Sequence, residues 1–312
     1  FMKFISAQKI KKNITLNSLI SEIENIYKND SNVPLRQVYN ITPKNKSDQI
    51  MLMPAFSKSG YYGVKILNVF ESNPLIGLPR INALYILYEN KNGKIIATMD
   101  GTEITKQRTA AMSAIASKFL SKKDSKKLLV LGTGALVSYM INAHCFVRPI
   151  EDVLIWGRNT NKVEKIVKLH KDSNFRVSSV DCLEDACAKA DIITSVTSSK
   201  KDFIKGSWLN KSVHIDLVGA HTKKMAELDP YGFSLGEIYV DDKEAVMVEA
   251  GDLINSINSG FINKRNIKSD IKQLIIGNKL RRKNKEKITI YKSVGHALSD
   301  LATAIYLFKK LK

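Results

Sequence analysis

Apolar positions at Leu16, Leu19, Ile20, Ile23 and Ile26 recur at helical spacing, so the start of the chain is predicted to form one or two helices. Between Val33 and Met99 the rhythm shortens to extended runs. Val64–Phe70 and Asn82–Tyr88 are separated by turns bearing Pro and Gly, and Asn90-Lys-Asn-Gly93 is placed to close a hairpin into Ile95–Ala97. This part reads as α+β with an antiparallel sheet. A helix is predicted from about Thr105 to Leu120, with Met112, Ile115, Ala116 and Phe119 on its apolar face and Thr102 or Thr105 as its cap.

After the polar stretch 121–127 the pattern becomes strand, helix, strand, helix. Strands are predicted at Lys127–Leu131, Asp152–Trp156, Arg176–Val180, Asp191–Thr197, His214–Val218 and Glu237–Val240, with helices at Ala135–Phe146, Thr160–Lys171 and Glu184–Ala188. Nearly continuous apolar strands alternating with helices specify a parallel sheet covered on both faces, which is the α/β, doubly wound Rossmann class. The expected division is a first domain of residues 1–120, rejoined by a C-terminal helix over 295–312, and a dinucleotide domain of residues 121–294.

The chain has 312 residues, a hydrophobic fraction of 44% and a charged fraction of 25%, all ordinary for a soluble globular protein. Its longest apolar runs are strand-sized, so no membrane span is expected. The formal charge of +19 raises the question of nucleic acid, but the lysines are scattered. The densest run, 279–287, lacks interleaved aromatics and reads as a solvated basic helix end. A positive field would still favour small anionic substrates. Cys145, Cys182 and Cys187 have neither metal nor redox spacing and read as buried small hydrophobes. With no secretory leader, they fit a reducing cytoplasm.

The most informative motif is Leu131-Gly132-Thr133-Gly134, an apolar strand running into Gly-x-Gly and then a helix. The first glycine makes the tight turn, and the second lets backbone approach a pyrophosphate at the positive end of the helix. The third fingerprint position is Val137, so the motif is incomplete and its context carries the reading. The second strand ends Trp156-Gly157-Arg158-Asn159-Thr160 without the carboxylate that would hold a ribose 2′-hydroxyl, while Arg158 suits a 2′-phosphate. NADP(H) is the preferred cofactor, with NAD(H) left open. Gly132, Thr133, Gly134, Ala135, Leu136, Trp156, Arg158, Asn159, Thr197, Val218 and Gly295 are expected to line it.

Three basic residues stand where solubility does not require them. Arg36 follows Val33-Pro-Leu, Lys65 interrupts an apolar strand, and Arg108 falls in the expected first turn of the Thr105 helix. There, helix amides and a guanidinium fork would together cradle a carboxylate. Lys65 either points to solvent or, if half-buried, has an altered pKa suited to donating a proton.

Several segments recur in one order in a known family. They are Met53-Pro-Ala-Phe, Gly63-Val-Lys-Ile, Asn82-Ala-Leu-Tyr-Ile-Leu, Thr105-Lys-Gln-Arg-Thr-Ala-Ala-Met-Ser and Gly132-Thr-Gly. Ala190-Asp-Ile-Ile-Thr-Ser-Val-Thr, Asp216-Leu-Val-Gly-Ala-His-Thr, Glu227-Leu-Asp and Lys292-Ser-Val-Gly-His-Ala-Leu-Ser-Asp300 follow. Over essentially its full length the chain resembles the ornithine cyclodeaminase/mu-crystallin family. Residues 214–227 and 249–254 look most like its Δ1-pyrroline-2-carboxylate reductases.

The resemblance implies that Arg36, Lys65 and Arg108 hold a substrate carboxylate and that the N-terminal sheet pairs with its counterpart in a homodimer. It also implies hydride transfer from NAD(P)H to C2 of a cyclic α-imino acid, giving L-proline or L-pipecolate. Lys65, His221 or a water they hold would supply the proton, and Gly295 and His296 would close over the nicotinamide. His221 stands where ornithine cyclodeaminases carry aspartate, and it lacks the fixed charge that would hold an ammonium side chain. Either it is an acid or base, or it only hydrogen-bonds cofactor or backbone. The alternatives are ornithine cyclodeamination, an alanine dehydrogenase-like reaction, and a non-catalytic NADPH-dependent binding protein.

Overall fold

A computed structural model describes residues 3–41, 48–277, 281–283 and 286–312. The chain divides into two compact units, Phe1–Met112 with His296–Lys312, and Ser113–Gly295.

The first unit is built on a seven-stranded sheet of β1 (Lys3–Ile5), β2 (Ser31–Asn32), β3 (Gln37–Asn40), β4 (Gln49–Ser57), β5 (Tyr61–Val69), β6 (Ile81–Glu89) and β7 (Ile95–Asp100). The order is β1-β7-β6-β5-β4-β2, with β3 also on β4. All pairs are antiparallel except β1 with β7. Gly93, at φ 71°, turns the chain between β6 and β7. Strand alternation puts Met53, Ala55, Leu67, Tyr85, Leu87 and Met99 on a fully covered face, and Lys65 shares it. The last helix, Ala297–Lys310, packs across β4, β5 and β6 and against the helix Leu16–Tyr27.

The helix predicted from Thr105 starts at Gly101. Asp100 accepts from Glu103 N–H at 2.7 Å and ties the first turn down. Neither threonine caps: the Thr102 hydroxyl accepts from Ala83 N–H, and that of Thr105 donates to Gly101 O. Arg108 therefore lies about two turns in, and the cradle expected from first-turn amides does not form.

The second unit holds an eight-stranded, wholly parallel sheet. Its strands are β8 (Lys127–Leu131), β9 (Asp152–Trp156), β10 (Arg176–Ser179), β11 (Ile192–Ser195), β12 (His214–Leu217), β13 (Gly236–Val240), β14 (Ile267–Asp270) and β15 (Ile288–Lys292). The order is β10-β9-β8-β11-β12-β15-β13-β14, so the winding reverses between β8 and β11. Leu128–Leu131, Ile192, Ile193, Ile215, Leu217 and Ile290 are all completely buried, as a sheet covered on both faces demands.

Two readings from composition need correction. Cys182 is exposed, at the start of the helix Leu183–Lys189, rather than buried. The basic run 279–287 is not simply a solvated helix end, although Lys279, Leu280, Asn284 and Lys285 lie outside the described residues. Arg281 stacks 4.1 Å over the Phe119 ring. Arg282 donates to the carbonyls of Leu120, Ser212 and Lys287. Arg148 caps the same helix end through Ser117 O, Lys118 O and Ser121 O. Guanidinium groups thus add donors to carbonyls at a helix C-terminus, Lys118 O and Leu120 O among them, where intrahelical donors run out.

Candidate functional site

In the first unit, β5 presents Lys65 to the covered face and the helix Gly101–Leu120 brings Arg108 to it. Between them lies Asp300, in the first turn of the last helix. One carboxylate oxygen takes Lys65 Nζ at 2.7 Å, and the other takes Arg108 Nε at 2.9 Å. Lys65 and Asp300 are fully buried and Arg108 is 5% exposed. Lys65 also donates to the Thr105 hydroxyl at 3.2 Å. The solvent-facing alternative for Lys65 is thereby excluded.

Burial is the largest influence on Lys65. Together with repulsion from Arg108 and Arg36, it takes the ammonium down to about 7 against the pull of Asp300. Burial works against the Asp300 carboxylate too, but Arg108 and Lys65 outweigh it and hold its pKa below the usual range. Arg36, half-buried just before β3, is near enough for its charge to be felt at Lys65. Tyr85, the cross-strand neighbour of Lys65, is fully buried, and burial pushes its hydroxyl well above the usual tyrosine range. Gly63 is required beside it: a Cβ there would stand 2.4 Å from the Tyr85 hydroxyl oxygen.

At the N-cap of the last helix, His296 Nδ1 lies 2.8 Å from the Tyr27 hydroxyl.

In the second unit the Gly-x-Gly turn sits where the winding reverses. Gly132 has φ 127°, a conformation that glycine tolerates and side chains resist, and its N–H donates to Trp156 O at 2.9 Å. A Cβ on Gly134 would meet nothing within 4 Å, so the backbone there is open to an approaching group. Ala135 is exposed, and Leu136 leads into the helix Val137–Val147. Val137, in the third fingerprint position, is buried against the sheet, which accounts for an apolar side chain there. This strand–turn–helix fits a dinucleotide pyrophosphate on backbone amides at a helix start.

At the end of β9, Trp156 stacks on Phe203 at 5.5 Å, and Asn159 caps the next helix by accepting from Lys162 N–H. Arg158 is exposed and has no ion-pair partner among the described residues.

Two carboxylates to which the sequence assigned no role organise the later strand ends. Glu227 is fully buried. Its Oε1 accepts from Ser195 Oγ, Thr197 N–H and Thr197 Oγ1, and its Oε2 from the N–H groups of Gly219 and Ala220. Burial raises its pKa, while Lys292 and the Ser195 donor work the other way. Asp241 accepts from Ser293 Oγ, Val294 N–H and Gly295 N–H, and holds Gly295 at φ 92°. Val218 N–H donates to Ser195 O, and His221 Nδ1 lies 2.7 Å from Gly219 O. A carbonyl can only accept, so Nδ1 carries the hydrogen and a neutral His221 has its lone pair on Nε2.

Lys65 and Arg108 thus meet on one carboxylate with Arg36 close by, and the turn residues, Trp156, Thr197, Val218 and Gly295 occur at strand ends of the second unit. Asp300, Thr105, Tyr85, Glu227 and Asp241 were not assigned from sequence. The available signals were that Asp300 is an acid within an otherwise apolar or small-residue segment, and that Glu227 and Asp300 both fall in segments that carry the family resemblance.

The model of the ornithine cyclodeaminase/mu-crystallin family matches residues 2–312. The chain belongs to that family. Among similar family members, a Δ1-pyrroline-2-carboxylate reductase of Colwellia psychrerythraea (strain 34H) is 33% identical over 317 residues, 99% of each chain. The structure of Thermococcus litoralis Δ1-pyrroline-2-carboxylate reductase in complex with NADH and L-proline superposes with TM-score 0.94 at 31% identity, covering 99% of this chain and 97% of that one. An archaeal alanine dehydrogenase dimer with bound NAD gives 0.92 at 26% identity, covering 99% and 95%.

Proposed function

We propose that this protein catalyses the NAD(P)H-dependent reduction of Δ1-pyrroline-2-carboxylate or Δ1-piperideine-2-carboxylate to L-proline or L-pipecolate. The observation that carries the reading is the buried Lys65–Asp300–Arg108 cluster. It offers an anion two cations, one of them a proton donor near neutrality. The reading is supported by the names of the Colwellia and Thermococcus relatives.

In this mechanism the bound dinucleotide supplies the hydride that the imine carbon accepts. Asp300 occupies Nε of Arg108, which leaves its two terminal amino groups for a bidentate pairing with the substrate carboxylate. Arg36 adds a second guanidinium. Lys65, with an ammonium that titrates near neutrality, protonates the ring nitrogen and makes the carbon a stronger acceptor. His221, protonated at Nε2, is the other candidate donor. The dinucleotide is held by Gly132, Thr133, Gly134, Ala135 and Leu136, with Trp156, Arg158, Asn159, Thr197, Val218 and Gly295 completing its contacts.

NADP(H) is the preferred form, because the end of β9 offers Arg158 and no carboxylate. The active species is a homodimer. Its support is the uncovered face of the first sheet, where apolar rows Phe56–Tyr62–Tyr88, Pro54–Val64–Ile86 and Leu52–Ile66–Leu84 run across β4, β5 and β6. Phe56 and Leu84 on it are 41% and 39% exposed. Among the described residues no helix is long and apolar enough to cross a membrane. Three free cysteines support a reducing cytoplasm as the place of action.

The test is nicotinamide absorbance with the two cyclic imines, pyruvate plus ammonia, and ornithine in parallel. Oxidation of NAD(P)H with a cyclic imine supports the reading. Oxidation with pyruvate and ammonia alone favours an alanine dehydrogenase-like reaction, which the second solved neighbour keeps in view. Ammonia released from ornithine without net oxidation would establish cyclodeamination instead.

A further inference from the structure

The imine reduction proposed above assigns the chemistry to the cations of the first unit, and the buried carboxylate they share occupies Nε of Arg108. Resting on that reading, we infer that Asp300 is a positioning residue, aiming the Arg108 fork and keeping Lys65 charged.

Each oxygen of Asp300 serves one cation, Oδ2 taking Lys65 Nζ and Oδ1 taking Arg108 Nε. One rigid group, fixed in the first turn of a buried helix, therefore sets the separation of two side chains that arrive from β5 and from the helix Gly101–Leu120. Binding through Nε also dictates which edge of the guanidinium remains for a substrate.

The charge argument is independent of the geometric one. Lys65 is faced by Asp300 from the last helix, by Arg108 and Thr105 from the helix Gly101–Leu120, by Arg36 from before β3, by Tyr85 on β6 and by Met53 on β4. Tyr85 is neutral at ordinary pH, because burial pushes its hydroxyl pKa up. Asp300 is thus the counter-charge to both Lys65 and Arg108. Arginines do not shed their proton in proteins, so any loss of that charge falls on Lys65.

The experiment compares wild type, Asp300→Asn and Asp300→Glu with Δ1-pyrroline-2-carboxylate across pH at saturating NADPH, with NADPH affinity from fluorescence as the check of folding. Asp300→Asn is expected to bind NADPH as wild type does and to lose about 100-fold or more in kcat/KM. Its alkaline limb should move at least about one pH unit to the acid side. The substrate's own titration is common to all three proteins and drops out of the comparison. A folded Asp300→Asn with an unmoved limb overturns the inference.

If Asp300→Asn does not fold, Asp300→Glu decides. It keeps the charge but displaces both contacts, so the limb should stay near its wild-type position while kcat/KM falls about 10-fold or more. An unchanged kcat/KM overturns the inference. Wild type inert toward the imine would instead remove the proposed function itself, a distinguishable result.

Discussion

At the scale of single residues, a lysine inside an apolar strand stands out because burying an ammonium is costly unless it is paired. Its partner was not legible: Asp300 lies 235 positions away, and nothing local in either segment reports their contact. The pairing makes a pH prediction. Lys65 has its ammonium form below about 7 and loses it as pH rises through that value. If the ammonium is the acid, kcat/KM for the imine falls on the alkaline side with a midpoint near 7. Lys65→Met should lose about 10²–10⁴-fold in kcat and abolish that limb, measured by nicotinamide absorbance across pH. Cofactor choice is a second matter for one side chain. Arg158→Ala should reduce kcat/KM with NADPH by roughly 10- to 100-fold, the worth of a hydrogen bond to a charged group, and leave NADH within about twofold. Equal effects on both cofactors would remove the 2′-phosphate role.

At the scale of elements, the strands Lys127–Leu131 and Asp152–Trp156 were fully legible, because continuous apolar runs beside glycine or polar turns leave little choice of state. The start of the helix at Gly101 was misread. Its tie is Asp100, the last residue of β7, so strand and helix share a boundary with no loop to mark it. β14 and β15 also escaped, since Ile267–Asp270 is short and has one apolar residue ahead of three polar ones, and Ile288–Lys292 follows a basic run. Glu227 acts at this scale by tying the ends of β11 and β12 together through five donors. Glu227→Gln would turn an amide N–H₂ toward backbone N–H groups that can only donate. The KM for the dinucleotide should rise about 10-fold, with the KM for the imine changing less, in steady-state titrations of each. Arg148→Met uncovers carbonyls at the end of the helix Gly101–Leu120 and should cost about 3 kcal/mol. For a domain of this size that corresponds to a melting temperature lower by roughly 6–12 °C in a calorimetric scan.

At the scale of the whole molecule, strand–helix alternation was enough to identify the doubly wound sheet, because parallel strands need crossovers of that length. The uncovered apolar face of the first sheet belongs to the same scale, and its proposed occupant is a second copy. Ile86→Lys places a charge in the middle row of that face. It should halve the mass measured by light scattering, while a wild-type mass equal to one chain would contradict the dimer. The central claim is hydride transfer to an imine carbon, and it is tested most directly by following the hydrogen. With NADPH deuterated at the transferring position of the nicotinamide and Δ1-pyrroline-2-carboxylate, mass spectrometry and NMR of the product should find one deuterium at C2 of proline for each dinucleotide oxidised. Proline without deuterium at C2, or dinucleotide left reduced while the imine persists, would contradict the account.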